Sequence, residues 1–173
     1  MKLFRSGAHF FSAGMCVAVA TAVVLLLFGC SAGGSKVGGM LNLDTDLKLE
    51  LQISSDVNPD ERGKPSPLFV RFYELKSPKL FNKSDFIDIF ERDEEVLEAD
   101  LISKQELRRV TPGSSRTEKF VLSQETRYIA LFAEFYDYKN SKYKIIFPVT
   151  ANNIFRNTVK IEITGNKIIL VDD

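Results

Sequence analysis

Few side chains in this sequence are equipped for chemistry, and they sit in three places. The first is the stretch Leu27-Phe28-Gly29-Cys30. A cysteine preceded by a small residue, at the end of an apolar run, is where a diacylglyceryl group can be attached through sulfur and the preceding bond then cut. Gly29 is the small residue that a narrow peptidase site needs, and Leu27 fits the apolar position two residues earlier. Phe28 is bulkier than usual for its place, which would slow the cut. The second is the acidic run Glu91 to Glu95, interrupted by Arg92. It lacks the ligand spacing of a calcium loop and reads as a solvated helix end. The third is the pair Glu134 and Asp137, the best candidates for two-carboxylate glycan hydrolysis. Their odd spacing puts them on opposite faces of a strand, a poor arrangement for a pair.

The residues before Cys30 suit a secretion signal. Lys2 and Arg5 form a positive start, and Phe10 to Phe28 is uncharged and mostly apolar. The competing reading is an uncleaved transmembrane anchor, since roughly 18 to 20 apolar residues span a bilayer. Gly29-Cys30 at the end of the apolar run favours the signal, so residues 1–29 are expected to be a lipoprotein signal peptide. Cys16 follows Met15, has no small residue before it, and leaves with the signal. Cys30 then becomes the first residue and carries a covalent lipid, with no other cofactor expected. Buried methylenes contribute about 0.8 kcal/mol each, and stable attachment takes more than one chain. Ser31, where an Asp would resemble an inner-membrane retention signal, points to the outer membrane.

Cleavage also removes His9, the only histidine. Without histidine or a free thiol, Ser-His-Asp and Cys-His nucleophilic catalysis and histidine-based metal sites are excluded. Carboxylate pairs, lysines and tyrosines remain possible players, but they form no strong constellation, and no catalytic residue or metal ligand is singled out. Loss of Lys2 and Arg5 leaves 21 basic against 23 acidic residues, a net charge of −2. Nothing in that balance suits nucleic acid, which calls for a basic face.

The elements that follow must position whatever function remains. Residues 30–39 comprise the lipidated cysteine and a glycine- and serine-rich tether reaching roughly 16 Å. Residues 40–173 form one patterned domain. Leu47, Leu49, Leu51 and Ile53 alternate with Lys48, Glu50 and Gln52, the period of a half-buried strand. Asp56 to Pro67 breaks the pattern with Asn58-Pro59-Asp60, Gly63 and Pro65-Ser66-Pro67. A loop of that length without secondary structure tends to be functional. Leu68 to Leu75 is a second strand, interrupted by Arg71 and Glu74. Ser84 or Asp85 caps a helix with an apolar face of Phe86, Ile87, Ile89 and Phe90. Val96 to Leu107 is ambiguous. A short strand at 106–110 turns at Thr111-Pro112-Gly113 into one at 116–123. Arg127 to Asp137, almost continuously apolar, is a buried central strand. Tyr143 to Val149 returns, Asn152-Asn153 turns, and Asn157 to Thr164 and Lys167 to Val171 form a hairpin about Gly165-Asn166. About eight strands with short turns and one small helical insertion make an all-β, antiparallel β-sandwich. The aromatic set Phe132, Phe135, Tyr136 and Tyr138 is either a binding platform or, the heavier reading, core packing.

The chain resembles the outer-membrane lipoproteins of the type VI secretion system, the TssJ/SciN/VasD family. The resemblance is carried by Asn58-Pro59-Asp60 with Gly63, Pro65 and Pro67, by Phe69-Val70-Arg71-Phe72-Tyr73-Glu74-Leu75, and by Phe81 with Ser84-Asp85-Phe86. Asp100-Leu101, Pro112-Gly113, and Arg127-Tyr128-Ile129 running to Phe135-Tyr136-Asp137 complete it. It departs at Tyr143-Lys144, where members often carry Trp-Arg. The resemblance implies a transthyretin-like sandwich, no enzymatic activity, and a domain facing the periplasm from the outer membrane. It also implies that the protein docks the periplasmic domain of the inner-membrane protein TssM, with TssL beyond. The loop between the first two strands is implicated in that contact, and maps to Val57, Asn58, Pro59, Asp60, Glu61, Arg62, Gly63, Lys64 and Pro65. Leu68 or Val57 would supply its apolar contact. The alternative is a sandwich lipoprotein that binds a glycan or another envelope protein.

Overall fold

The computed structural model of the protein describes residues 47–149 and 157–171. Cys30, the signal and tether segments and the Asn152-Asn153 turn lie outside the described residues. The alternation of leucines makes β1 (Leu47–Ile53), in which Leu47, Leu49, Leu51 and Ile53 are all at most 1% exposed. It is followed by β2 (Val70–Leu75), the helices α1 (Lys79–Lys83) and α2 (Phe86–Leu97), β3 (Leu101–Glu106) and β4 (Ser115–Phe120). Then come β5 (Tyr128–Ala133), β6 (Lys144–Pro148), β7 (Asn157–Thr164) and β8 (Lys167–Val171).

The strands form two four-stranded sheets, in the orders β4-β1-β7-β8 and β3-β2-β5-β6. They enclose a core of alternating side chains, with Phe72 stacked on Phe120 at 4.0 Å between ring centroids. The expected sandwich of eight strands with a helical insertion is present, with one difference. β1 and β7 run parallel, Leu51 opposite Ile161, while every other strand-to-strand ladder among the described residues is antiparallel. Parallel neighbours need a long crossover, and here everything from β2 to β6 supplies it.

A second apolar cluster lies on the outer face of the β3-β2-β5-β6 sheet, under the two helices. It explains why β5 is apolar at every position. Ile129, Leu131 and Ala133 face the sandwich core, whereas Ala130 and Phe132 face the helices. A strand covered on both sides loses the polar half of its alternation.

Two strand boundaries differ from the sequence reading, and one helix, capped as expected, departs from it at a kink. The strand expected at 106–110 lies earlier, at Leu101–Glu106. Leu107 and Val110 are instead core residues on the crossing between sheets, and β4 pairs with β1 rather than returning along β3. The long strand expected to end at Asp137 stops at Ala133, beyond which Phe135 tucks into the core and Tyr136 turns outward. Finally, α2 is capped by Asp85, whose carboxylate accepts the Asp88 N–H at 2.9 Å, and kinks at Arg92 (φ −149°, ψ 43°). The kink turns Asp93 inward, so the acidic run is no uniformly solvated helix end.

Candidate partner-docking site

The loop that leaves β1 is pinned at its root. Asp56 accepts the Gly165 N–H at 3.2 Å and the Thr164 hydroxyl at 3.4 Å, tying it to the β7–β8 turn. The Ser54 hydroxyl, then the Gly165 amide, hold its carboxyl below the usual carboxylate range. Val57 and Leu68 are core residues, 0% and 2% exposed. They offer no apolar contact to a partner, contrary to the sequence reading, because each anchors one end of the loop.

Asn58 is the hub. It takes a positive φ of 50° and is 4% exposed. Asparagine tolerates this left-handed backbone better than most residues. Its N–H donates to Gly165 O at 2.7 Å. Its Nδ2 donates to Ser66 Oγ at 3.0 Å and to Pro67 O at 3.3 Å, and its Oδ1 accepts the Tyr136 N–H at 2.7 Å. One buried amide thus joins both strands of the loop to the end of β5.

Beyond Asn58 the loop is a small hairpin rather than structureless. Pro59 bridges Pro65, and the Asp60 N–H donates to Lys64 O at 2.9 Å. Asp60 Oδ1 accepts from the Arg62 and Lys64 amides, both at 2.9 Å, and Gly63 takes φ +74° to close the turn. Glu61, Arg62, Gly63, Lys64 and Pro65 are exposed, with Pro59 and Asp60 half-buried behind them. Of the nine expected site residues, Val57 and Asn58 thus form the mount and the rest form the projecting tip.

The structure adds Tyr136, which the sequence left among the aromatic candidates. Its phenol donates to Glu61 Oε1 at 2.7 Å. That bond to the carboxylate, then burial, raises its pKa above the ordinary tyrosine value. Tyr136 is 56% exposed, whereas Phe132 and Phe135 are core, and Tyr138 stacks on Phe86 at 4.3 Å. The four aromatics are therefore no single platform. Between the tip and the β5–β6 turn lies an open groove of about 700 Å³, lined by residues that include Asp60, Glu61, Tyr136 and Asp137.

The other chemical candidates are occupied. Glu134 accepts from Arg71 Nε at 2.7 Å, and Asp137 accepts from Asn140 at 3.0 Å, so the two do not act on a common atom. Asp93, 5% exposed, accepts from Tyr73 Oη at 2.8 Å, Lys104 Nζ at 2.9 Å and Arg71 Nη1 at 3.1 Å. Burial alone would push its carboxyl up, but the bonds from Lys104, Tyr73 and Arg71 outweigh it and hold the carboxyl low. Arg71 also donates to Ile89 O and Phe90 O beside the kink, so this cluster fastens α2 to the sheet. The interruptions at Arg71 and in the acidic run were its only signals in the sequence. Among the described residues no group of three or more His, Cys, Asp or Glu could hold a metal ion.

The family model described as type VI secretion lipoprotein, VasD, EvfM, TssJ matches residues 45–166. The chain belongs to this type VI secretion lipoprotein family. It is a structural lipoprotein, not an enzyme. Its fold is similar to that of the type VI secretion lipoprotein TssJ1 from Pseudomonas aeruginosa, with a TM-score of 0.68 and 23% identity over 72% of this chain and 93% of that one. Lip from Serratia marcescens, a membrane-bound component of the type VI secretion system, matches with a TM-score of 0.64 and 20% identity over 75% and 97%. A chain in the structure of the TssM C-terminal domain from EAEC matches with a TM-score of 0.61 and 23% identity over 72% and 99%. No curated protein matches the chain. At the departure Tyr143-Lys144, both side chains engage the helical insertion. Lys144 Nζ donates to Phe81 O, Asn82 O and Ser84 O at 2.8, 3.1 and 2.6 Å, gathering the carbonyls at the C-terminal end of α1. Tyr143 packs edge-on against Phe86 and Phe132.

Proposed function

We propose that this lipoprotein anchors the type VI secretion membrane complex to the outer membrane by docking the periplasmic C-terminal domain of TssM, with TssL reached through TssM. Residues 1–29 are its signal peptide. Cys30 carries the acyl chains, residues 30–39 are the tether, and residues 40–173 form the domain that faces the periplasm. The observation that carries the docking reading is the hairpin tip, exposed at Glu61, Arg62, Gly63, Lys64 and Pro65 yet held by Asn58, Asp56 and Tyr136. A segment already ordered loses less conformational freedom on binding, so more of its contact energy remains as affinity. Two prolines that bridge each other stiffen the tip further. The role is mechanical: lipid holds one end and the sandwich presents the tip.

The test replaces Glu61–Lys64 with a Gly-Ser linker of equal length. Asn58 is left in place, because its removal would unpin Tyr136 as well. Binding of the detergent-solubilised lipoprotein to the periplasmic domain of TssM is then measured. Loss of binding with an unchanged thermal transition is expected, and binding of undiminished affinity would contradict the proposal.

A further inference from the structure

We infer that β4 pairs edge to edge with β4 of a second copy of this chain, antiparallel and two-fold about Thr117. β4 lies at one end of its sheet and pairs with β1, and among the described residues no strand pairs with its other side. The peptide groups on that side can be placed from the ladder. The Ile53 N–H donates to Ser114 O at 2.9 Å. Bonded pairs alternate along an antiparallel ladder, so Arg116 opposite Leu51 and Glu118 opposite Leu49 turn their peptide groups toward β1. Ser115, Thr117 and Lys119 turn theirs outward, where such a row is a template for another strand.

The side chains decide which strand fits. Arg116 and Glu118 share the face of Leu51 and Leu49, so this edge strand carries two charges on its core-facing side. Inward charges on an edge turn most strands away. A second β4 is the exception. With the axis through Thr117, Thr117 meets its own copy in a bonded pair, Lys119 meets Ser115, and Arg116 meets Glu118 on both sides of the axis. An axis through Arg116 or Glu118 would set like charges opposite each other, which is repulsive. Within one chain the charges are incompletely matched. Arg116 Nε lies 3.2 Å from Glu118 Oε1 but forms no hydrogen bond, and burial holds the guanidinium pKa below its ordinary value. The docking tip lies outside β4, so the pairing does not depend on the docking reading. Attachment to one membrane surface raises the effective concentration of each copy near the next.

The test uses the full-length lipoprotein in cell envelopes, oxidised with copper phenanthroline and resolved without reductant. Thr117→Cys is compared with Gln52→Cys, which is exposed on the neighbouring inner strand β1. On the lipoprotein reading, acylation of Cys30 leaves each variant one free thiol. Opposed residues of a bonded pair have Cα atoms about 5.5 Å apart, within disulfide reach. Thr117→Cys is expected to give a disulfide-linked dimer and Gln52→Cys none. Adding Arg116→Glu, or Glu118→Arg, to Thr117→Cys should lower the dimer yield about tenfold, because both cross-strand pairs become repulsive. Co-expressing those two charge variants should restore it, since each supplies the charge the other lacks. No dimer from Thr117→Cys, or equal dimer from both cysteine positions, overturns the inference, and both results stand even if a charge variant fails to fold. A yield that charge reversal leaves undiminished, or that co-expression of the folded variants does not restore, overturns it too. So does a Thr117→Cys crosslink to a different protein in place of the dimer.

Discussion

At the scale of single residues, two buried polar side chains do different work. Asn58 sets the geometry of the tip through three side-chain hydrogen bonds and a left-handed backbone. Glycine keeps the backbone freedom but strands the Tyr136 N–H. Asn58→Gly is therefore expected to cost about 2 kcal/mol in urea unfolding and to weaken partner binding by more than that loss of stability explains. Asp93 fastens α2. Its folded carboxyl is held below the ordinary value, so its contribution is present above the unfolded pKa of about 3.9 and is lost as pH falls through the folded one. Asp93→Asn should be less stable at neutral pH by about 3 kcal/mol, and its stability should decline less steeply than that of wild type below about pH 4. A parallel decline would assign the acid sensitivity to other carboxylates. The sequence marked Asn58 as part of a turn but not as buried. Its burial depends on Gly165 and Tyr136, residues far away in the chain.

Elements were legible wherever one face was buried and one solvated. The alternation in β1 and β7 and the Gly165-Asn166 turn fixed those strands, and Asp85 marked the start of α2. Legibility failed where the chain crosses between sheets. Residues 107–114 carry Leu107 and Val110 into the core three residues apart, which breaks a strand's alternation, and these two apolar residues drew the predicted strand too late. The kink at Arg92 was likewise silent, since inward rotation of Asp93 answers to Arg71 and Lys104 on other strands. The helical insertion depends on the outer face of β5. Phe132→Ala should cost about 3 to 5 kcal/mol in chemical denaturation, because Phe86 and Tyr143 both pack on that ring. Lys144→Met should act locally, leaving the sheets intact. The amides of residues 79–84 should then exchange hydrogen faster as the carbonyls of Phe81, Asn82 and Ser84 lose their donor.

For the whole molecule, the arrangement of the two sheets has a mechanical consequence. The chain passes between sheets at the docking loop itself, so the tip is rooted in β1 of one sheet and β2 of the other. Force applied to such a tip is shared by both sheets and by the β7–β8 turn that Asp56 grips. The motifs that carry the family resemblance include the loop's prolines and Gly63 and the Phe69–Leu75 strand, which is why family and fold could be read early. The groove could not, since its walls come from the loop, the β5–β6 turn and the β7–β8 turn. The most direct measurement is site-specific photo-crosslinking in cells that assemble the secretion complex. A photoreactive residue is placed at Arg62 on the tip or at Thr117 on the solvent side of β4. The account predicts a crosslink to TssM from position 62 and none from 117. A crosslink from 117 with none from 62 would contradict it.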